Sequence, residues 1–313
     1  MAGPPLVTGA AGFAGSHLID HLLENEPAVA AWSHRGSLSP ATQDRRVRWN
    51  AIDLLDRSAV ARELAALRPA AIYHCAGVAH VAESWAEPER ALRVNVLGTH
   101  HVLEGVREAG LECPVLVTGS ALVYRASMSA IGEDDPLGPS DPYGVSKLAQ
   151  ERLALRARHA AVFIVRPFNH AGPRQAPTYA TSSFARQIAE IEAGLREPVL
   201  RVGNLEARRD ITDVRDTVRA YRMLVRDGQP GRPYNVCSGQ AYRVRDLLDA
   251  LVDRSRTTIR VEIDPARLRP SDNPVIAGNP SRIAAEAGWR PQIPIARTLD
   301  DLLDYWRRHT AGP

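Results

Sequence analysis

Tyr143 and Lys147 stand four residues apart in the segment Tyr143-Gly144-Val145-Ser146-Lys147, a spacing that puts both side chains on one helix face. An ammonium beside a phenol favours the phenolate, drawing the tyrosine down from its usual ~10 towards working pH. A tyrosine so tuned can exchange a proton with a carbonyl or alcohol oxygen while hydride moves to or from a nicotinamide. Ser120, just past the apolar run that ends at Thr118, could hydrogen-bond the same oxygen. The bland alternative is a solvated Tyr/Lys pair, and composition weighs against it. Of 39 Lys+Arg, one alone is lysine, Lys147. Codon bias explains arginine elsewhere, but not the survival of a compact ammonium at this position.

A second group lies near the start. Thr8-Gly9-Ala10-Ala11-Gly12-Phe13-Ala14-Gly15 follows a short apolar run and opens an amphipathic stretch. Its GxxGxxG spacing is a variant of the dinucleotide fingerprint, with glycines that let a pyrophosphate approach a helix N-terminus. Without a cofactor it would be only a glycine-rich turn beside a tightly packed helix. At the end of the second strand an acidic residue would hold the ribose hydroxyls of NAD. Here Ser33-His34-Arg35-Gly36-Ser37 offers an arginine and hydroxyls instead, which suits a 2′-phosphate. NADPH is therefore expected, with NADH as the alternative. An ordinary exposed arginine is the competing reading of Arg35. Asp53 is placed to reach the adenine edge, and His74-Cys75-Ala76-Gly77 ends a strand beside the cofactor. His74 is expected to be packed or backbone-bonded rather than reactive.

These groups need a scaffold that brings them together. Apolar runs at 6–8, 28–33, 71–74, 115–118 and 162–165 read as strands buried on both faces. Helical patterns at 13–24, 58–67, 89–109 and 143–158 alternate with them. Such alternation implies an α/β fold, a doubly wound parallel sheet of Rossmann type. After Pro167 the alternation lapses and Pro, Arg and Gly become frequent, which suggests a smaller α/β lobe. A strand at 234–237 is expected to return to the first sheet. The predicted division is 1–167, with about 212–240 returning to it, against 168–211 and 241–313.

Composition excludes other classes. Hydrophobic content of 44% with 24% charged residues excludes disorder. Net charge is only +3 and the arginines are dispersed, so no nucleic-acid partner is expected. No apolar run is long enough for a membrane helix, and Met1–Pro5 shows no secretory signal. Cys75, Cys113 and Cys237 lie far apart without a CxxC pair. This suits a reducing cytoplasm and implies neither a disulfide framework nor a metal site.

The chain resembles the extended short-chain dehydrogenases/reductases of the nucleotide-sugar-modifying group nearly end to end. The resemblance rests on TGAAGFAG, YGVSK, Asn95-Val96-Leu97-Gly98-Thr99, Glu133-Asp134-Asp135-Pro136-Leu137 and Arg166-Pro167-Phe168-Asn169-His170-Ala171-Gly172-Pro173-Arg174-Gln175. Segments 168–175, 202–216, 234–239 and 269–272 resemble the GDP-mannose 4,6-dehydratase and GDP-4-keto-6-deoxy-D-mannose reductase branch, the reductases more closely. The resemblance implies a catalytic set of Ser120, Tyr143 and Lys147. It implies a cofactor site of Gly9, Gly12, Phe13, Ala14, Gly15, Arg35, Asp53, Leu54, Ala76, Tyr143, Lys147 and Pro167. Asn169, Asn204, Arg209 and Arg269 would line the nucleotide-sugar site, since guanidinium groups bind oxyanions bidentately. Surface ion pairs are the competing reading of the two arginines. His80 and Glu83 either border the sugar or are ordinary loop residues. His170 is expected to shape its loop. In this group two helices of each subunit pair into a four-helix bundle, so a homodimer or higher assembly is implied.

Reaction class turns on one position. Dehydratases of this kind carry a glutamate two residues after the catalytic Ser/Thr, to take the C5 proton. Here Leu122 occupies that place and can move no proton. A ketone reductase needs no such base. The expected reaction is NADPH-dependent reduction of GDP-4-keto-6-deoxy-D-mannose at C4, giving GDP-D-rhamnose or GDP-6-deoxy-D-talose. Leu122, Gly119 and Arg125 also depart from the usual reductase pattern, leaving the sugar and the reduced face open. Alternatives are an NAD-dependent nucleotide-sugar 4-epimerase, the 4,6-dehydratase itself, and a dinucleotide-binding sensor without turnover.

Overall fold

The computed structural model describes residues 2–34, 44–268 and 273–310. Among the described residues, six strands and six α-helices build the first half. The strands are β1 (Leu6–Thr8), β2 (Val29–Ser33), β3 (Val47–Ala51), β4 (Ile72–His74), β5 (Val115–Thr118) and β6 (Val162–Pro167). The helices are α1 (Phe13–Leu23), α2 (Arg57–Leu67), α3 (Val81–Ala86), α4 (Pro88–Leu92), α5 (Gly98–Glu108) and α6 (Pro142–Ala154). The remaining strands are β7 (Asn169–Ala171), β8 (Val199–Val202), β9 (Arg208–Asp213), β10 (Pro233–Val236), β11 (Ala241–Arg243), β12 (Arg260–Ile263) and β13 (Val275–Ile276). Helices α7 (Ala180–Glu192), α8 (Val214–Asp227), α9 (Val244–Val252), α10 (Ser281–Ala287) and α11 (Ile295–Thr310) complete the chain.

Seven strands form one sheet in the order β10-β6-β5-β4-β1-β2-β3, parallel throughout. The chain winds outwards from β1 to β3, then restarts on the other side of β1 with β4. That reversal opens a crevice at the carboxyl ends of β1 and β4, where doubly wound sheets bind ligands. Leu18, Ile19, Val218 and Tyr221 cover one face of the sheet, and Val60, Leu64, Val102 and Val106 the other. Burial on both faces explains why these strands read as unbroken apolar runs.

The smaller sheets lie after Pro167. Strands β11, β9 and β13 pair side by side, with β7 also on β9, and β12 pairs β8. Phe184, Ile188, Leu248 and Leu302 pack a separate core beneath them.

Several elements differ from expectation; α3 (Val81–Ala86), for one, has no counterpart among the expected helices. Strand β3 is absent from the sequence-based set because only its first residue, Val47, is buried; it is the sheet's edge, and alternating polar residues hide it. The single helix expected over 89–109 is broken into α4, a π-helical turn at Arg93–Leu97, and α5. Helix α6 stops at Ala154, short of the expected 158.

Candidate active site

A cleft of about 2230 Å³ follows the carboxyl edge of the large sheet. Its floor begins at the turn after β1. Gly9 has φ of 65°, and a Cβ there would stand 2.6 Å from the Ala76 nitrogen. A Cβ on Gly15 would stand 2.2 Å from the Gly9 oxygen. Side chains are thus excluded where α1 meets β1 and the loop after β4. Gly12 precedes helix α1 as its N-cap and has no side chain to bond the first N–H groups, so these and the helix dipole face an incoming anion. This cradle fits the diphosphate of a dinucleotide.

Gly9, Gly12, Phe13, Ala14, Gly15, Asp53, Leu54, Ala76 and Pro167 all line the cleft, as do Tyr143 and Lys147. The Asp53 carboxylate accepts the Leu55 N–H at 2.9 Å, which closes a tight turn behind β3. Phe13 stacks on His170 with ring centroids 5.5 Å apart, so His170 shapes the floor. Arg35 and Arg269 lie outside the described residues.

The Ser120 and Tyr143 hydroxyls come from two elements that one glycine allows to touch. Asp141 caps α6, accepting the Gly144 N–H at 2.8 Å, with Pro142 in the first turn. This fixes Tyr143 at the helix start and Lys147 one turn further on. Ser120 stands two residues past β5 and caps the short turn Ala121–Val123, accepting from Leu122 N at 3.1 Å. A Cβ on Gly144 would sit 2.4 Å from the Leu122 oxygen. That close approach brings the Ser120 hydroxyl beside the Tyr143 phenol, where it favours the phenolate. Leu122 also faces the cleft, beside them.

Burial pushes the Tyr143 phenol up, opposed by the Ser120 hydroxyl beside it. The lysine is occupied elsewhere: Nζ donates to the Thr118 carbonyl at 2.9 Å and to Gln150 Oε1 at 3.0 Å. It lies 5.9 Å from the Tyr143 ring centroid. Burial brings its own pKa down to about 8.

Of the sugar-side residues, His80, Glu83, Asn169 and Arg209 line the cleft. Glu83 pairs with Arg90, and His80 meets Tyr179 edge-on at 5.5 Å. Arg209 is half-buried, its guanidinium donating to the Arg208 carbonyl at 2.8 Å. Asn204 is the exception. It is exposed after β8, and its carboxamide turns back to accept the Glu206 N–H at 2.9 Å, outside the cleft lining. Tyr179 and Gln175 line the cleft although sequence reasoning passed over them. They lie in a turn with no periodic pattern to mark them.

A family model described as GDP-mannose 4,6 dehydratase matches residues 6–302. The chain belongs to the GDP-mannose 4,6-dehydratase family. GDP-6-deoxy-D-mannose reductase of Pseudomonas aeruginosa is 35% identical over 306 residues, 96% of each chain. GDP-mannose 4,6-dehydratase of Vibrio cholerae is 28% identical over 350 residues, 95% of this chain and 92% of that one. The solved structure of RMD from Pseudomonas aeruginosa complexed with NADPH matches with a TM-score of 0.85 and 31% identity, covering 98% of this chain and 100% of that one. UDP-glucose 4-epimerase of Thermus thermophilus, solved in complex with NAD, matches with a TM-score of 0.86 and 27% identity over 97% and 99% of the chains. Membership of the GDP-mannose 4,6-dehydratase family therefore sets the scaffold, and the side chains in the cleft must select among its reactions.

Proposed function

We propose that the protein is an NADPH-dependent 4-ketoreductase acting on GDP-4-keto-6-deoxy-D-mannose, with GDP-D-rhamnose or GDP-6-deoxy-D-talose as product. The observation that carries the reading is Leu122. It faces the cleft beside Ser120 and Tyr143, in the place where a dehydratase needs a C5 base. The 35% identity to GDP-6-deoxy-D-mannose reductase of Pseudomonas aeruginosa supports the same choice.

When bound, reduced nicotinamide supplies a hydride to C4 of the sugar. The chain's own groups do the rest. Tyr143 gives its phenolic proton to the C4 oxygen as charge develops there. Burial favours this direction of transfer, because it holds the phenol protonated until an acceptor arrives. Ser120 donates to the same oxygen and fixes its distance from the phenol. Lys147 holds ribose hydroxyls and steadies the phenolate left behind. His80, Glu83, Asn169 and Arg209 border the GDP-sugar, with Arg209 suited to its diphosphate. In this reading 1–167 with about 212–240 serves the cofactor, and 168–211 with 241–313 serves the sugar nucleotide.

The cofactor preference follows the relative solved with NADPH. No helix among the described residues is long and apolar enough to cross a membrane, and a cytoplasmic setting fits three free cysteines. A homodimer fits Leu92, Leu97 and Val145, exposed at 43%, 44% and 47% on α4, the π turn and α6; sedimentation analysis tests it. For the reaction itself, the protein is given the 4-keto sugar nucleotide and NADPH, and the reduced-nicotinamide absorbance is followed. Loss of that absorbance with a GDP-sugar product is expected. Turnover of UDP- or dTDP-sugars alone would overturn the substrate assignment.

A further inference from the structure

The Lys147 ammonium ends a buried hydrogen-bond chain whose direction can be read in only one way. An ammonium has donors and no acceptor, so the Gln150 atom 3.0 Å from Nζ is the carbonyl oxygen. The Gln150 amide then faces Thr99 Oγ1 and donates to it at 2.8 Å. Thr99 gives its one hydrogen to the Asn95 carbonyl at 2.6 Å, so its remaining contacts must be donated to it. One is His74 Nε2 at 2.9 Å, which places the imidazole hydrogen on Nε2 and leaves Nδ1 an acceptor. Nδ1 takes the Thr8 hydroxyl hydrogen at 2.8 Å, and Thr8 Oγ1 accepts the Ala76 N–H at 3.3 Å. Thr8, His74, Thr99 and Gln150 are fully buried and Lys147 is 4% exposed, so bulk water cannot replace a lost partner.

We infer that Gln150 is a positioning residue: the chain from Thr8 through His74 and Thr99 aims its carbonyl oxygen at the Lys147 ammonium, setting where that ammonium sits and how firmly it keeps its proton. The titratable groups facing Nζ are Tyr143 on α6 and His74 and Cys75 at the end of β4. Burial and the lysine charge hold His74 at about 3, and burial pushes Cys75 up to about 12 and Tyr143 upwards. All three are neutral at neutral pH. The ammonium is therefore steadied by two carbonyl dipoles, from Thr118 and Gln150, with no carboxylate paired to it among the described residues.

Any effect on turnover rests on the ketone reduction proposed above; the effect on the ammonium does not. Lys147 is the only lysine, so protein carrying isotope-labelled lysine gives a single side-chain NMR signal whose pH titration reads Nζ without substrate. Gln150→Met should lower the protonation constant of Nζ about tenfold, the expected effect of losing a hydrogen bond to a charged group. Gln150→Glu should raise it by at least as much. Opposite shifts are a readout that loosening of the core would not produce. With substrate, Gln150→Met should lower kcat about tenfold or more while KM for the ketone stays within about twofold. Titrations unchanged in both variants, or moved the same way, would overturn the inference. Should a variant fail to fold, the wild-type protein still tests the chain: ring-nitrogen shifts of His74 must show the Nε2–H tautomer, and Nδ1–H overturns it. Predicted lysine shifts in a protein that reduces no ketone would leave the positioning intact and remove the proposed function.

Discussion

Replacing Lys147 by methionine should change how stability depends on pH, by an amount the structure sets. In the folded protein burial lowers this lysine from 10.5 to about 8. Between those values the unfolded chain binds a proton that the folded one does not, so wild-type stability rises with pH across the window. Its full contribution is present above the unfolded value and is lost as pH falls through about 8. The gap of about 2.5 corresponds to ~3 kcal/mol. Lys147→Met has no such group. Whatever gap separates the two near pH ~7, the variant should fall behind by a further ~3 kcal/mol near pH ~11. Two carbonyls lose a partner in the variant, at about 1–3 kcal/mol each, but that cost does not vary with pH and cancels from the comparison. Urea unfolding of both proteins at stepped pH, followed by tryptophan fluorescence, gives the two curves. Parallel curves across the window would refute the reasoning, because they would mean that the ammonium is not held in a desolvated site. The same variant should show no turnover.

Four further outcomes are expected. Tyr143→Phe should fold normally and lose about 10²–10⁴ in kcat, the range for a general acid, measured in steady-state assays. Leu122→Ala should keep kcat within about fivefold, since no proton passes at that position; a loss near 10² or more would mean that this side chain positions the sugar for reaction rather than only lining the cleft. Gly144→Ala puts a Cβ 2.4 Å from the Leu122 oxygen, so α6 must shift and part Tyr143 from Ser120; kcat should fall about tenfold or more with a lower Tm. Glu151→Leu leaves the Arg166 guanidinium, 3% exposed and paired at 2.6 Å, without its buried partner, and should cost about 3–5 kcal/mol in urea unfolding.

Parts of this design are legible in the chain because they depend on local pattern. Leu6–Thr8 and Val115–Thr118 are buried on both faces, and unbroken apolar runs announce that. The Tyr143/Lys147 pair is read from one helical turn, and the glycine cradle from eight consecutive residues. What escapes is set by contacts between distant segments. Asn95 sits in a π turn that nothing in its neighbourhood signals, yet its carboxamide joins Val78 to Ser146 at 2.8 Å each. Gln150 looks like an ordinary helical residue until β4, α5 and α6 bring His74, Thr99 and Lys147 around it. Spacing likewise shows that an ammonium is near the tyrosine, but not that Thr118 and Gln150 hold it. Asn204 stands apart from the cleft for the converse reason, since a short polar side chain in a turn satisfies itself against its own backbone.

The central claim is that hydride goes to C4 of a GDP-linked 4-keto sugar and stays there, with no chemistry at C5. NADPH carrying deuterium at the transferred position, incubated with GDP-4-keto-6-deoxy-D-mannose and the protein, tests this in one NMR spectrum of the product. The account predicts one deuterium at C4, a secondary alcohol at that carbon, and one NADPH consumed per sugar. Solvent hydrogen entering C5, or sugar interconversion without net consumption of NADPH, would contradict it.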